Sequence, residues 1–357
     1  MDVRGDGAAG AGRRLALGWT AMRAVVITKH GGPEVLRVQE REDPRPGAGE
    51  IAIEVAAAGV NFADVMARMG LYPDAPKTPC VVGYEVAGTV LELGEGVSES
   101  HPFLAVGERV LAGTKFGGYA SRVTVPAGDA VALPQRLSFA QGAAIPVNYA
   151  TAWAALLGYG SLRAGERVLV HSAGGGVGIA ATQIAKRTGA EVYGTASPGK
   201  HERCLELGVD HALDYTRAGW ERGLPPFDVI LDAIGGASFR RSYSLLRPGG
   251  RLVAFGASAV VSGQRRNVVG ALSTLARMPR FNVVKQMSES KAVIGLNMLS
   301  LWKDRGTLEP WIAPLQELLD DGTIEPVIAG EFDFADTGAA HTMIVERRNV
   351  GKVVLTP

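Results

Sequence analysis

VLVHSAGGGVGIAATQIAKRTGAEVYGTASPGK, residues 168–200, reads as a strand, a glycine turn, a helix and a second strand. Val168 to His171 are β-formers that stop at Ser172, and the run Gly174-Gly175-Gly176 then lets the backbone turn tightly with no side chain in the way of a pyrophosphate. The spacing predicts a helix from Val177 through Ile179, Ile184 and Ala185, closed by Gly189 as its C-cap. The free N–H groups and positive dipole end of such a helix make a phosphate site. The pattern Ala173-x-Gly175-x-x-Gly178 departs from GxGxxG at its first position, so the glycines alone are weak evidence. The second strand decides more. A site for NAD needs an acidic residue about 20 residues on to hold the ribose 2′-hydroxyl. Val192 to His201 contains no carboxylate and offers Ser197, Lys200 and His201. Those side chains suit a 2′-phosphate, and the expected cofactor is NADPH.

The chain has 357 residues, more than one hydrophobic core usually serves, so two domains are expected. A net charge of +1 argues against nucleic acid as the main partner. Cys80 and Cys204 are the only cysteines, which gives no disulfide framework and no CxxC and fits a reducing compartment. Leu137 to Leu162 carries no charge, but Pro146, Asn148, Tyr149 and three glycines interrupt it. It reads as a buried domain junction rather than a membrane span. Residues 1–21 are rich in Gly, Ala and Arg without a long apolar core, and are expected to be a disordered tail rather than a secretory signal.

From 22 to about 145 the chain is short strands with turn punctuation: RAVVIT, VLRVQE, EIAIEVAAAGV, YEVAGTVLEL, ERVLAG and ASRVTV. That pattern predicts a twisted antiparallel, barrel-like domain. Between 165 and 297 strands alternate with helical stretches, in ERVLVHS, AEVYGTA, DHALDY, FDVILDAI, GRLVAFG and KAVIGLN. Six strands with helical crossovers predict a doubly wound parallel sheet, hence an α/β fold. The end of the chain shows amphipathic helices around Leu315 to Leu319 and Thr337 to Glu346, then a closing strand Lys352 to Leu355.

GVNFADVMARMGLYP (59–73), VVGYEVAGTV (81–90), NYATAWAAL (148–156), the AGGGVG turn, GTASPGKHE (194–202), DAIGG (232–236) and NVGKVVL (349–355) together resemble the medium-chain dehydrogenases/reductases, and within them the quinone-oxidoreductase branch. GTASPGKHE, LDYT and RRNVGKVVL resemble in particular the synaptic-vesicle amine-transport homologue group. The resemblance runs from Met22 to Pro357. It implies a tail at 1–21, a GroES-like catalytic domain at 22–146 completed by 298–357, and a Rossmann NADPH-binding domain at 147–297. It also implies an active cleft between the domains, with Asn61 and Tyr72 as catalytic residues and Asp64 nearby. Cofactor contacts are implied for Asn61, Asn148, Thr151, Gly174, Gly175, Gly176, Val177, Ser197, Lys200, Tyr215, Ile234, Gly235, Phe255, Gly256, Asn297 and Lys352. Several of these also have a packing reading. His171 at the turn is a structural, hydrogen-bonded histidine on one reading and catalytic on the other, and Asp64 starts a helix on its structural reading.

Zinc alcohol dehydrogenases of this superfamily place Cys where Asn61 stands and His where Tyr84 stands. Neither replacement is a good zinc ligand, and no metal is expected. Without metal the hydride chemistry belongs to the cofactor and the protein supplies orientation and electrostatics. Quinones suit that limitation, because reduction leaves a phenolate, far weaker as a base than the alkoxide of a reduced ketone. The expectation is a cytoplasmic, zinc-independent NADPH:quinone reductase acting on quinones or other conjugated carbonyls. It is expected to be a homodimer through the edge strand Lys291 to Leu296, with neither nucleic acid nor membrane as partner. An enal, enone or enoyl-thioester reductase and a non-enzymatic NADPH-binding partner protein are the alternatives.

Overall fold

The computed structural model describes residues 21–261 and 263–357; apart from Ala21, the tail assigned to 1–21 lies outside them. The six strands expected downstream form one parallel sheet, in the order His211–Asp214, Glu191–Ala196, Arg167–Val170, Phe227–Asp232, Leu246–Ala254 and Ala292–Gly295. Phe227–Asp232 is buried at every position, as a central strand covered on both faces must be. Glu191–Ala196 and Phe227–Asp232 flank Arg167–Val170, so the chain reverses its direction of winding there. A crevice opens beyond the carboxyl ends of strands at such a switch point.

The second assembly is antiparallel. Its hub is Glu50–Val60, which pairs with Glu85–Leu93, Arg122–Pro126 and the closing strand Lys352–Thr356. Two register shifts within the hub, at Ala52/Ile53 and Val55/Ala57, let an 11-residue strand bend around the core. Ile328–Asp333, unread in the sequence, joins parallel to the closing strand, so the C-terminal segment completes this sheet. Ala130–Ala132 and Cys80–Val81 are further short strands that the sequence patterns passed over.

The uncharged stretch from Leu137 to Leu162 folds as helices Phe139–Gly142 and Pro146–Trp153 followed by a π-helical turn at Ala154–Gly158. Its Ala143, Ile145, Ala150 and Leu156 sit in one hydrophobic cluster with Ala57 and Ala87 of the antiparallel sheet and Ala180 and Ile184 of the dinucleotide helix. The stretch is apolar because it packs between the two sheets. No helix among the described residues is long and apolar enough to cross a membrane.

Candidate active site

The crevice at the switch point is a cavity of about 1390 Å³, and every residue proposed above for catalysis or cofactor contact lines it; Asp64 does not. The glycine turn forms its floor. Ser172, at φ +58, carries the chain off the first strand, and helix Gly176–Arg187 starts one residue before the periodicity predicts. The three glycines differ in why they are glycine. A Cβ on Gly176 would lie 2.4 Å from the Asn148 amide nitrogen, and one on Gly178 would lie 2.4 Å from the Ser172 carbonyl. Those two are set by packing. A Cβ on Gly174 would meet nothing nearer than 3.6 Å, so protein packing does not require glycine there, and the open side fits a close-lying phosphate. Gly189, at φ +82, follows the C-cap Thr188.

At the end of the second strand, Ser197, Lys200 and Tyr215 share the cavity wall with Arg347, which the sequence reading missed. Lys200 also has bonds of its own within the protein. Its ammonium donates to the backbone carbonyls of Arg347 and Asn349, at 2.6 Å each, and burial pulls its pKa down. The Gly351 N–H donates to Gly174 O at 2.9 Å, so the C-terminal turn is tied both to the glycine turn and, through Lys200, to the segment after the second strand. Among the described residues the one carboxylate on the cavity wall, Glu346, is held by Arg348 at 2.7 Å.

Ile234, Gly235, Phe255 and Gly256 lie at the ends of the next two strands. Buried Asp232 shapes that turn: one carboxylate oxygen accepts from the Ile234 and Gly235 N–H groups, the other from the Ser238 and Ser242 hydroxyls. His171 bonds Thr195 at 3.2 Å and Ser242 at 3.0 Å, and burial lowers its pKa, so it stands as a neutral, doubly bonded ring beneath the turn. Asn297 spends its amide oxygen capping helix Met298–Arg305, accepting from the Leu299 and Ser300 N–H groups.

The acceptor end is built around Asn61, the N-cap of helix Phe62–Arg68. Its amide oxygen accepts from Lys352 Nζ at 2.7 Å, and its amide nitrogen donates to Glu85 Oε1 at 2.9 Å. Lys352 is also paired with Glu85, whose other oxygen accepts from the Val147 N–H at 2.7 Å. Lys352 is 3% exposed and Glu85 is fully buried. Lys352 therefore holds Asn61, while also lining the cavity. With both ends of the amide bonded, its O and N positions are fixed and one Nδ2–H is left for the cleft. Tyr72 lies on the same wall, its phenol pushed up to about 12 by burial, with Tyr84 edge-on to it at 6.4 Å between ring centroids.

Asp64 sits behind this wall. It accepts from the Asn61 N–H at 2.8 Å, the Gly83 N–H at 3.0 Å and the Tyr119 hydroxyl at 2.9 Å; Tyr119 in turn contacts His341 Nε2 at 3.2 Å. Its place in the cluster is structural, holding the helix start that carries Asn61.

The donor set at Asn61 does not fit a metal cation. The Asn61 oxygen and the Glu85 carboxylate are already taken by an ammonium, and Tyr84 stays a protonated phenol, its pKa raised by burial. Among the described residues no group of three His, Cys, Asp or Glu side chains could hold a metal ion.

Residues 47–135 match the family described as "alcohol dehydrogenase GroES-like domain", and residues 207–355 match "zinc-binding dehydrogenase". The human synaptic vesicle membrane protein VAT-1 homolog is 34% identical over 344 residues, covering 94% of this chain and 86% of that protein. Two mycobacterial structures align over 94% of this chain and 100% of theirs. One, solved with NADPH, is 31% identical with a TM-score of 0.79; the other, described as a quinone oxidoreductase, is 30% identical with a TM-score of 0.76. The CurK enoyl reductase aligns at a TM-score of 0.81 with 26% identity, covering 94% of this chain and 99% of that one. A GroES-like sheet and a doubly wound sheet with a dinucleotide cleft define an oxidoreductase of the medium-chain dehydrogenase/reductase class. The chain belongs to that superfamily, in its zinc-independent, quinone-oxidoreductase-like branch.

Proposed function

We propose that the chain is an NADPH-dependent reductase of quinones, working as a cytoplasmic homodimer and without a metal, with residues 22–146 and 298–357 forming the catalytic domain and 147–297 the NADPH domain. The observation that carries the acceptor class is the chemistry of the acceptor end. Among the described residues it offers neutral donors, the one free Asn61 N–H and the Tyr72 hydroxyl, because the Lys352 ammonium there is neutralised by Glu85. Such donors hydrogen-bond the phenolate left by quinone reduction, a weak base that needs no proton transfer within the site, whereas the alkoxide of a reduced ketone would have to draw a proton from them.

Bound NADPH supplies the hydride. Ser197, Lys200, Tyr215 and Arg347 hold its 2′-phosphate end, and the open face of Gly174 with the N-terminus of helix Gly176–Arg187 takes the pyrophosphate. Asn61, fixed by Lys352 and Glu85, donates its remaining N–H to the acceptor oxygen as negative charge collects there, and Tyr72, protonated at neutral pH, borders the same space. The quinol anion takes its proton from water.

A side-by-side acceptor assay tests this. A 1,4-quinone, an enone and an enoyl-thioester are supplied with NADPH, and the quinone is expected to give the highest kcat/KM. Turnover of the enone or thioester alone would identify a double-bond reductase, as the likeness to the enoyl reductase allows. Tight NADPH binding with no turnover of any acceptor would identify a binding protein.

A further inference from the structure

Tyr84 is 7% exposed and lines the cleft; its hydroxyl makes no hydrogen bond of full geometry among the described residues, and the neighbouring Tyr72 phenol is only loosely coupled to it. Buried phenols are rarely left so, since an unanswered buried hydroxyl costs free energy. Its ring is wedged between Tyr72, edge-on at 6.4 Å, and Phe116, tilted at 5.2 Å, which leaves the hydroxyl little freedom to seek a partner elsewhere. The residue directly follows Gly83, whose N–H is held by Asp64 and whose carbonyl accepts from Thr114 at 3.0 Å. It directly precedes Glu85, the carboxylate that fixes Asn61. The backbone on both sides of Tyr84 is thus pinned, Glu85 also pairing with Gly113 in the sheet, and the phenol lines the same cleft as Asn61, Phe62 and Met66.

We propose that Tyr84 is a further hydrogen-bond donor to the acceptor, its hydroxyl answered by a carbonyl oxygen of a planar conjugated dione when that molecule enters the cleft. The inference rests on the quinone reading above and adds a residue to it. Tyr84 donates a hydrogen bond without giving up its proton: burial raises its pKa, so a quinol anion is the weaker base of the two. No bond forms or breaks at this residue. Its effect is therefore on acceptor binding and on the charge that gathers on oxygen, and not on the cofactor.

The test is Tyr84→Phe, which removes the hydroxyl and keeps the ring. With NADPH and 1,4-naphthoquinone, kcat/KM should fall roughly 10- to 100-fold, as expected for loss of one hydrogen bond to a substrate oxygen. The NADPH Kd should stay within about twofold and Tm should hold or rise, because a hydroxyl without a full hydrogen bond in the protein is removed. A lowered Tm with kcat/KM unchanged would show a buried water or a structural role instead, and would overturn the proposal; so would unchanged kcat/KM at any Tm. If the wild-type protein reduces no quinone, the reading of the function fails, and menadione binding to the NADP⁺ complex still decides the role of Tyr84. Roughly tenfold weaker binding to Tyr84→Phe supports it, whereas equal affinity, or binding to neither protein, overturns it.

Discussion

In the proposed function Asn61 gathers the acceptor-side chemistry at one amide, and its bonds make that role measurable. Lys352 and Glu85 fix which end of the amide faces the cleft. Asn61→Ala should lower kcat about 10- to 1,000-fold, the scale seen for single oxyanion donors, and leave NADPH affinity nearly unmoved; steady-state kinetics with a binding titration checks both. Unchanged kcat would mean that the residue only lines the wall. Cofactor choice is a separate matter, read at Lys200. Its ammonium ties down the C-terminal turn through the carbonyls of Arg347 and Asn349, so Lys200→Ala loses a phosphate contact and loosens Arg347 together. NADPH should bind roughly 10- to 100-fold more weakly, with a much smaller loss for NADH. Equal losses for the two cofactors would show that Lys200 only straps the turn.

At the scale of elements, the cluster that links helix Phe62–Arg68 to helix Thr337–Val345 makes stability depend on pH in two opposed ways. Burial lowers the His341 pKa to about 3, so between about pH 6.5 and 3 the unfolded chain binds a proton that the fold refuses, and this contribution to stability is lost as pH falls. Burial raises the Asp64 carboxyl to about 7, so between about pH 4 and 7 the fold holds a proton that the unfolded chain releases, and stability falls as pH rises. The slopes offset each other from about pH 4 to 6.5. His341→Gln removes one of them, and the variant should lose stability relative to wild type on going from pH 5 to pH 7, by about 1.4 kcal/mol per unit at most. Urea unfolding at the two pH values measures it; parallel curves would contradict it. None of this was visible in the sequence, because Tyr119 and His341 meet across 222 positions and Lys352 and Asn61 across 291. What was legible is local: the glycine turn, the missing carboxylate before Ser197, the six parallel strands and the alternating strands from Met22 onward. Tyr84 was legible only as a poor metal ligand, since an unanswered hydroxyl shows itself only once its surroundings are assembled. Helices Val268–Ala276 and Val283–Glu289 escaped because their apolar side chains face outward, against the usual pattern of an amphipathic helix.

For the whole molecule, the parallel sheet ends at Ala292–Gly295, which is bonded on one side only among the described residues, and helix Val283–Glu289 runs beside it with Val284 74% and Met287 73% exposed. An apolar rim next to an unpaired sheet edge fits a two-fold contact with a second copy. Light scattering should give a dimer at micromolar concentration, and Met287→Glu should yield monomer with Tm little changed. A lysine at Ile294 would report less, because that partly buried side chain packs against the core and the change would disturb the sheet as well as the subunit contact. A wild-type monomer would contradict the pairing. The account's central claim is a hydride route from NADPH to a quinone that needs no metal, and kcat/KM of exhaustively chelated protein with 1,4-naphthoquinone, measured with NADPH and then with NADH, tests it most directly. The expected result is full activity after chelation and a preference for NADPH of at least about tenfold, in line with one to two charge-assisted phosphate contacts. Activity lost with a bound metal and restored by zinc, or equal use of the two cofactors, would contradict it.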